Sequence, residues 1–161
     1  MLLAKLRTLL DQKAVRYALL EHSPAYTAQE VAAKLHVHGW ELAKATVVRA
    51  DDRFLMVVLA APSYVDLRRV CALAGAKTAR LATEEEIAGL FPGCEIGAMP
   101  PFGNLWGVPV WVDERLALDQ TIVFSAGTHH EAIRMSFADY RRLVEPQIVS
   151  VATARAPQRA A

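Results

Sequence analysis

Cysteine is scarce in this 161-residue chain, which contains only Cys71 and Cys94 and no CxxC spacing. Two thiols so arranged argue against a disulfide framework and a zinc clip. Long apolar runs are also missing, because the longest strongly apolar run, Phe54 to Pro62, is half the length needed to span a bilayer. Lys5 and Arg7 interrupt the N-terminal apolar segment, and no small-residue cleavage site follows it. These absences predict a cytoplasmic protein with no membrane partner.

An excess of charge of either sign is absent as well. Eighteen basic residues stand against seventeen acidic ones, and charged residues make up 22% of a chain that is 53% hydrophobic. This balance excludes a disordered chain, a coiled coil and a polybasic nucleic-acid arm. It does not exclude nucleic-acid binding by a local patch, where a few lysines and arginines converge.

The length of the chain predicts a single domain over residues 1–152, followed by a flexible tail over 153–161. Two apolar runs, 43–49 and 54–60, flank a short polar segment and predict a hairpin. Capping boxes at Thr27 and Thr83 predict the starts of two helices, and a further helix is expected from about Ser63 to Gly75. Strand pairs that alternate with single helices predict a mixed α/β (α+β) domain, not a doubly wound parallel sheet.

The segment Gly97-Ala98-Met99-Pro100-Pro101-Phe102-Gly103 is the most unusual in the sequence. Its glycines and prolines fix a backbone path and leave the amides of Gly97, Ala98 and Met99 without neighbouring side-chain bulk. Such amides can donate to a carbonyl oxygen or to an oxyanion in acyl transfer. The alternative interpretation is a rigid structural turn over the core.

Lys44 stands within an otherwise apolar run, residues 42–48. On an alternating strand its side chain shares a face with Leu42 and Thr46, so the ammonium points either to solvent or into a cleft. In a cleft, the ammonium could hold a phosphate or an anionic transition state.

Other common reaction centres find little support. No HExxH, CxxC or aspartate cluster is present, and the adjacent His129 and His130 point apart, so no metal site is predicted. There is no GxSxG elbow and no phosphate-binding GxGxxG or GxxxxGK[ST] loop. Cys94, just before Gly97, is a candidate thiol nucleophile for an ester or thioester.

Seven segments of the chain resemble, in order, the YbaK/prolyl-tRNA synthetase editing-domain family, and together they span residues from about 15 to 150. They are Tyr26–Ala32, Ala43–Val48, Val65–Arg69, Arg80–Glu86, Gly97–Gly103, Val110–Glu114 and Ser125–His129. The resemblance implies a strongly bent, mostly antiparallel sheet flanked by helices. It also implies a freestanding aminoacyl-tRNA deacylase that needs no metal or organic cofactor. Its substrate would be a wrong, small amino acid esterified to the 3′-terminal adenosine of a tRNA, often tRNA-Pro, with prolyl-tRNA synthetase as a candidate partner.

The resemblance also implies a set of site residues. Its GxxxP loop and strand lysine assign a catalytic role to Lys44, Gly97, Ala98 and Pro101. It implies substrate-binding roles for Tyr26, Thr27, Thr46, Met99, Gly127 and His129, with His130 competing for the position of His129. In the implied mechanism, water attacks the ester and the vicinal ribose hydroxyl of the substrate assists.

Several alternatives stay open at this point. A domain with the same fold could bind an aminoacyl-adenosine, a nucleotide or an amino acid without catalysis. The near-neutral charge predicts that only a few cations hold the RNA: Lys44 and, as helpers near the mouth of the site, the arginines at positions 49, 53, 68 and 69. The sequence does not determine the amino acid, the tRNA or the oligomeric state.

Overall fold

The computed structural model describes residues 2–154, and a long hairpin lies at its centre. The hairpin consists of β2 (Ala43–Ala50) and β3 (Arg53–Ala60), which pair along their whole length across a two-residue loop. Met56 and Val58 of β3 pack into one hydrophobic cluster, whereas Val57 and Leu59 pack into another. Because successive side chains of a strand point to opposite faces, β3 is covered on both sides. The predicted hairpin is confirmed.

The other strands extend or face this hairpin. A five-stranded sheet has the order β5-β2-β3-β6-β9, where β5 is Ala79–Leu81, β6 is Val110–Asp113 and β9 is Gln147–Val149. An antiparallel sheet has the order β1-β8-β7, where β1 is Tyr17–Glu21, β7 is Thr121–Ser125 and β8 is Glu131–Ser136. A short antiparallel pair joins β4 (Tyr64–Val65) to β10 (Ala152–Thr153).

Most of these pairings are antiparallel. Only β3 with β6 and β6 with β9 run parallel among the strands that the structure describes. A single parallel bridge between Leu42 and Val123 links the two larger sheets. The predicted mixed α+β fold with a mostly antiparallel sheet is confirmed.

The helices are α1 (Leu2–Gln12), α2 (Ala28–Lys34), α3 (Leu67–Ala74), α4 (Glu84–Leu90) and α5 (Phe137–Val144), with 3₁₀ turns at Gly39–Glu41, Gly103–Trp106 and Leu116–Leu118. Leu10 of α1 and Tyr140 of α5 are fully buried in the cluster that contains Met56. Val70 of α3 packs with Val57 in the cluster on the opposite face of β3. Helices therefore flank the sheets, as expected. No helix in residues 2–154 is long and apolar enough to cross a membrane.

The two predicted capping boxes form to different extents. At Thr83 the box is complete, since Thr83 and Glu86 each accept from the other's backbone amide. At α2, Thr27 Oγ1 accepts from the Glu30 amide at 3.1 Å, but Glu30 Oε2 accepts from the amide of Tyr26 at 3.1 Å and not from Thr27. Glu30 therefore fixes the backbone of Tyr26 just before the helix.

One predicted boundary is wrong. The helix expected from Ser63 begins at Leu67, because Asp66 caps it by accepting from two amides of its first turn, and Tyr64–Val65 form β4 instead. Thr153, the first residue of the expected tail, pairs with Tyr64 in β10. The rest of that predicted tail, residues 155–161, lies outside the described residues.

Candidate functional site

A small cleft opens between the start of α2, the start of β2 and the loop that precedes Pro100. Six of the predicted site residues line it: Tyr26, Thr27, Lys44, Gly97, Met99 and His129. The other lining residues are Ala25, Ala28, Val31, Leu42, Ala43, Ala45 and Ser125. The fold thus brings together residues from four separate segments of the sequence.

Lys44 reaches into this cleft from the second position of β2. Its Nζ donates to the Ala61 carbonyl at 3.0 Å and lies 4.7 Å from the centre of the Tyr64 ring. No carboxylate lies within 4 Å of it in the described part of the chain. Burial lowers the pKa of Lys44 below its ordinary value, because desolvation disfavours the charged form. Lys44 therefore gives the cleft a half-buried ammonium whose charge is not balanced by a carboxylate of the described residues.

Gln29 of α2 shares the partner of Lys44. Its Nε2 donates to the Ala61 carbonyl at 3.1 Å, so one carbonyl oxygen accepts from both side chains. Sequence reasoning missed Gln29 because it lies inside a capping motif and its contact is 32 residues away. Its effect is to fix the carbonyl against which the Lys44 ammonium rests.

Three hydrogen bonds fix the loop opposite Lys44. The Glu95 amide donates to the Gly127 carbonyl at 2.9 Å, the Gly127 amide to the Ala98 carbonyl at 2.8 Å, and the Ala98 amide to the Glu95 carbonyl at 3.0 Å. The Ala98 amide is therefore not free to donate to a substrate, contrary to expectation. Ala98 is fully buried, and Ala98 and Gly127 lie behind the lining and hold the loop in place.

The amides on either side of Ala98 are different. Neither the Gly97 nor the Met99 amide has a hydrogen-bond partner among residues 2–154. Buried amides without partners are rare in folded proteins, and Met99 is only 5% exposed. Two of the three predicted donors are thus available on residues that line the cleft.

Pro101 and Thr46 lie outside the lining. The Pro101 carbonyl accepts from the buried Tyr140 hydroxyl at 2.7 Å, which ties the loop to α5. Burial raises the pKa of Tyr140 well above its ordinary value, so the hydroxyl stays a donor. Thr46 is two positions along β2 from Lys44, on the same face but away from the cleft.

The histidine that faces the cleft is His129. Its backbone amide donates to Glu95 Oε2 at 2.7 Å, and its Nε2 lies 3.8 Å from the same oxygen. His130 is exposed and is not part of the lining. The structure therefore favours His129 over His130 as the histidine that faces the cleft.

Residues 22–143 match the family model described as the aminoacyl-tRNA editing domain. The chain belongs to this family. The YbaK/prolyl-tRNA synthetase editing-domain resemblance and the activity class expected from it, an aminoacyl-tRNA hydrolase, are thereby confirmed at family level.

Two curated relatives agree with this assignment. The chain is 28% identical over 155 residues to the multifunctional Ser/Thr-tRNA deacylase ProXp-y of Escherichia coli K12, covering 91% of this chain and 90% of that protein. It is 31% identical over 135 residues to the proline–tRNA ligase of Bacillus subtilis 168, covering 77% of this chain but only 24% of the ligase. The editing domain thus matches one relative end to end and a quarter of the other.

Solved structures share the fold of this editing domain. A hypothetical protein superposes with a TM-score of 0.84 at 22% identity, over 92% of this chain and 99% of that one. A protein proposed to be a trans-editing enzyme for prolyl-tRNA synthetase superposes with a TM-score of 0.80 at 22% identity, over 94% and 96% of the two chains. At this identity the superpositions show the fold alone.

Four alanines of the editing domain line the cleft: Ala25, Ala28, Ala43 and Ala45. Sequence reasoning missed all four, because alanine carries no chemical signal and the two pairs are distant in the chain. Small side chains on the walls leave room for a compact acyl group.

None of the predicted arginine helpers lines the cleft. Arg49 pairs with Glu86 at 3.0 Å, and Arg53 donates to the Ala74 carbonyl at 2.9 Å. Lys44 and Arg49 are five positions apart on β2, which is roughly 16 Å along the strand. Arg69 lies 3.6 Å from Asp66 and donates to Ser150, while Arg68 is exposed and absent from the cleft lining. The expectation of arginines at the mouth is therefore wrong for Arg49 and Arg53.

Alkylation of thiols is expected to leave activity unchanged. Cys94 does not line the cleft, and burial raises the pKa of its thiol to about 12, so the thiolate is scarce at neutral pH. Deacylation before and after treatment with N-ethylmaleimide, with labelling followed by mass spectrometry, tests this. Loss of activity that tracks labelling of Cys94, together with a folded but inactive Cys94→Ser variant, would restore the thiol mechanism.

Gly97→Ala is expected to reduce deacylation at least tenfold and to lower the free energy of unfolding by about 1–2 kcal/mol. Gly97 has φ +85°, which alanine adopts only with strain, whereas the new Cβ would meet only His129 Cε1, at an ordinary 3.8 Å. The loop must therefore relax and displace the free amides.

Gly93→Ala is the matched control for that variant. Gly93 has φ +90°, a Cβ at this position would have no neighbour within 4 Å, and the residue lies outside the cleft. It should show a similar loss of stability in urea unfolding with full single-turnover activity. Equal activity of the two alanine variants would show that the loop is only structural.

Proposed function

We propose that this editing domain is a freestanding deacylase that hydrolyses the ester of a small amino acid mischarged on tRNA, with tRNA-Pro as the first candidate. One observation carries the proposal. The Lys44 ammonium, which forms no ion pair with the described residues, lines the same cleft as the free amides of Gly97 and Met99. A cation and preorganised backbone donors are the groups that stabilise charge developing in ester hydrolysis.

In the proposed reaction, the amides of Gly97 and Met99 hold the ester carbonyl oxygen. Water adds to the carbonyl carbon with help from the vicinal ribose hydroxyl of the substrate. The bond to the ribose oxygen then breaks, that oxygen takes a proton, and the free amino acid leaves. Lys44 binds the terminal phosphate or orients the adenosine, or it stabilises the anionic transition state directly.

The lining of the cleft supports a small acyl group. Its apolar wall consists of the four alanines with Val31 and Leu42. Excluding one extra methylene is worth about 1–3 kcal/mol, so such a wall can separate small amino acids from larger ones. The name of the E. coli relative, a Ser/Thr-tRNA deacylase, makes serine and threonine the first acyl groups to test.

The experiment is a panel of tRNA-Pro molecules charged with alanine, cysteine, serine, threonine or proline. Seryl and threonyl esters on their own tRNAs complete the panel. Purified protein should accelerate the loss of at least one small acyl group and spare prolyl-tRNA. Binding to the panel without hydrolysis of any member would indicate a binding module with the same fold and overturn the proposal.

A further inference from the structure

We infer that Tyr26 and His129 form an aromatic shelf on which the 3′-terminal adenine of the tRNA stacks. This inference rests on the proposed deacylase function, since it assigns a subsite for the base attached to the reacting ribose.

Tyr26 is exposed although hydrogen bonds fix the backbone around it. It is 68% exposed and lines the cleft. Its amide donates to Glu30 Oε2 at 3.1 Å, and the amide of the preceding Ala25 donates to the His129 carbonyl at 3.0 Å. Its hydroxyl makes no hydrogen bond in the described part of the chain. The ring is therefore presented to solvent by a fixed backbone and is not needed for packing of the core.

His129 supports the ring from the side of the cleft. The two ring centroids lie 4.8 Å apart at an interplanar angle of 50°. Glu95 holds the His129 backbone, and His129 Cε1 lies 3.8 Å from the position a Cβ on Gly97 would take. The aromatic shelf thus begins beside the loop that carries the free amides.

This position suits the base of the proposed substrate. The ribose joins the ester to the adenine, so a base must lie within about one sugar of the ester carbonyl. Tyr26 lines the same cleft as Gly97 and Lys44, which places it at that range. Stacking on an aromatic side chain recognises a base by its flat face and needs no hydrogen-bond code.

The rings of Trp40 and Tyr64 do not line the cleft, and each is covered by a cation. The Arg115 guanidinium lies 3.4 Å from the centre of the Trp40 ring, and Lys44 lies over Tyr64. Tyr26 is the one aromatic residue among the exposed large hydrophobic side chains of residues 4–154. Tyr26 is therefore the ring at the mouth of the cleft on which a base can stack.

The test uses a tRNA-Pro whose terminal adenine is replaced by 2-aminopurine and whose seryl group is attached by a non-hydrolysable amide. Stacking quenches 2-aminopurine fluorescence. Wild type and Tyr26→Phe should quench it, whereas Tyr26→Ala should lose the quenching and bind about 5- to 100-fold more weakly. Leu118→Ala, which truncates an 83% exposed side chain outside the cleft, should behave as wild type.

A second substrate separates stacking from a structural role. A charged tRNA without its terminal base should bind wild type and Tyr26→Ala equally. The inference is overturned if Tyr26→Ala weakens binding of this tRNA as much as binding of the normal one. It is also overturned if the Tyr26→Ala protein quenches the probe like wild type. Wild type that quenches the probe but hydrolyses no charged tRNA would overturn the deacylase function alone. Full hydrolysis by wild type with an unaffected Tyr26→Ala would overturn the aromatic shelf alone.

Discussion

Lys44→Met is expected to lower single-turnover deacylation by about 10²- to 10³-fold while the protein stays folded. Methionine keeps an apolar stem beside Tyr64 but removes the ammonium from the cleft. No ion pair of the described residues involves Lys44, so the substitution leaves no charge without its partner. Lys34→Met, the same change at an exposed lysine outside the cleft, should be fully active.

The pH dependence of stability provides a second readout of the same variant. Burial lowers the pKa of Lys44 in the folded state, so the unfolded state binds more protons at pH values between that pKa and 10.5. The free energy of unfolding should therefore gain from this group as pH rises through that window, and the gain should be missing in Lys44→Met. Urea unfolding at a series of pH values measures the difference. Identical pH profiles would show that Lys44 is solvated like an ordinary surface lysine.

A shortened substrate distinguishes the proposed roles of Lys44. If the ammonium holds the terminal phosphate, the loss should appear in KM and vanish with an aminoacyl-adenosine that has no 5′-phosphate. If it stabilises the transition state, the loss should appear in kcat with both substrates. Full activity of Lys44→Met on both would remove Lys44 from the proposed mechanism.

The parts of the fold that sequence predicted best are those set by local physics. The hairpin of β2 and β3 and the capping box at Thr83 depend on neighbouring residues only, and both are confirmed. The start of α3 was misplaced because the pairing of Tyr64–Val65 with β10 is a contact across most of the chain. Long-range pairing of very short strands leaves almost no signal in the sequence.

The same division holds for the candidate site. Lys44 and Gly97 stand out in the sequence by a charge in an apolar strand and by a glycine-rich loop. Gln29 and the alanine wall do not, because their roles come from contacts made only in the folded chain. The amide of Ala98 could not be separated from its neighbours, since the bond to the Glu95 carbonyl follows from the turn geometry.

The loop over residues 97–103 combines the two interpretations that its sequence left open. Its first residues line the cleft, whereas Pro101, Phe102 and Gly103 are buried in or against the core. The Gly103 carbonyl accepts from the Val108 amide at 2.9 Å, so the chain closes back on itself there. The buried end of the loop should therefore control the position of the end in the cleft.

Gly103→Ala is accordingly expected to lower the free energy of unfolding by about 3 kcal/mol, at the upper end of overpacking costs. A Cβ at this position would lie 2.7 Å from the Val108 carbonyl oxygen, 3.0 Å from Val110 Cγ2 and 3.4 Å from Met56 Cβ. The first of these is backbone and the last belongs to the central strand, so neither neighbour can give way cheaply.

Gly89→Ala is the matched control, because a Cβ there has no neighbour within 4 Å and the residue lies in helix α4. The free energy of unfolding of Gly89→Ala should rise by about 0.5–1 kcal/mol, since alanine loses less conformational entropy than glycine when a helix forms. Urea unfolding of both variants, followed by circular dichroism, measures the contrast. If Gly103→Ala were as stable as wild type, the close contact with Val108 would have to relax without strain, and the buried end of the loop would not be tightly packed.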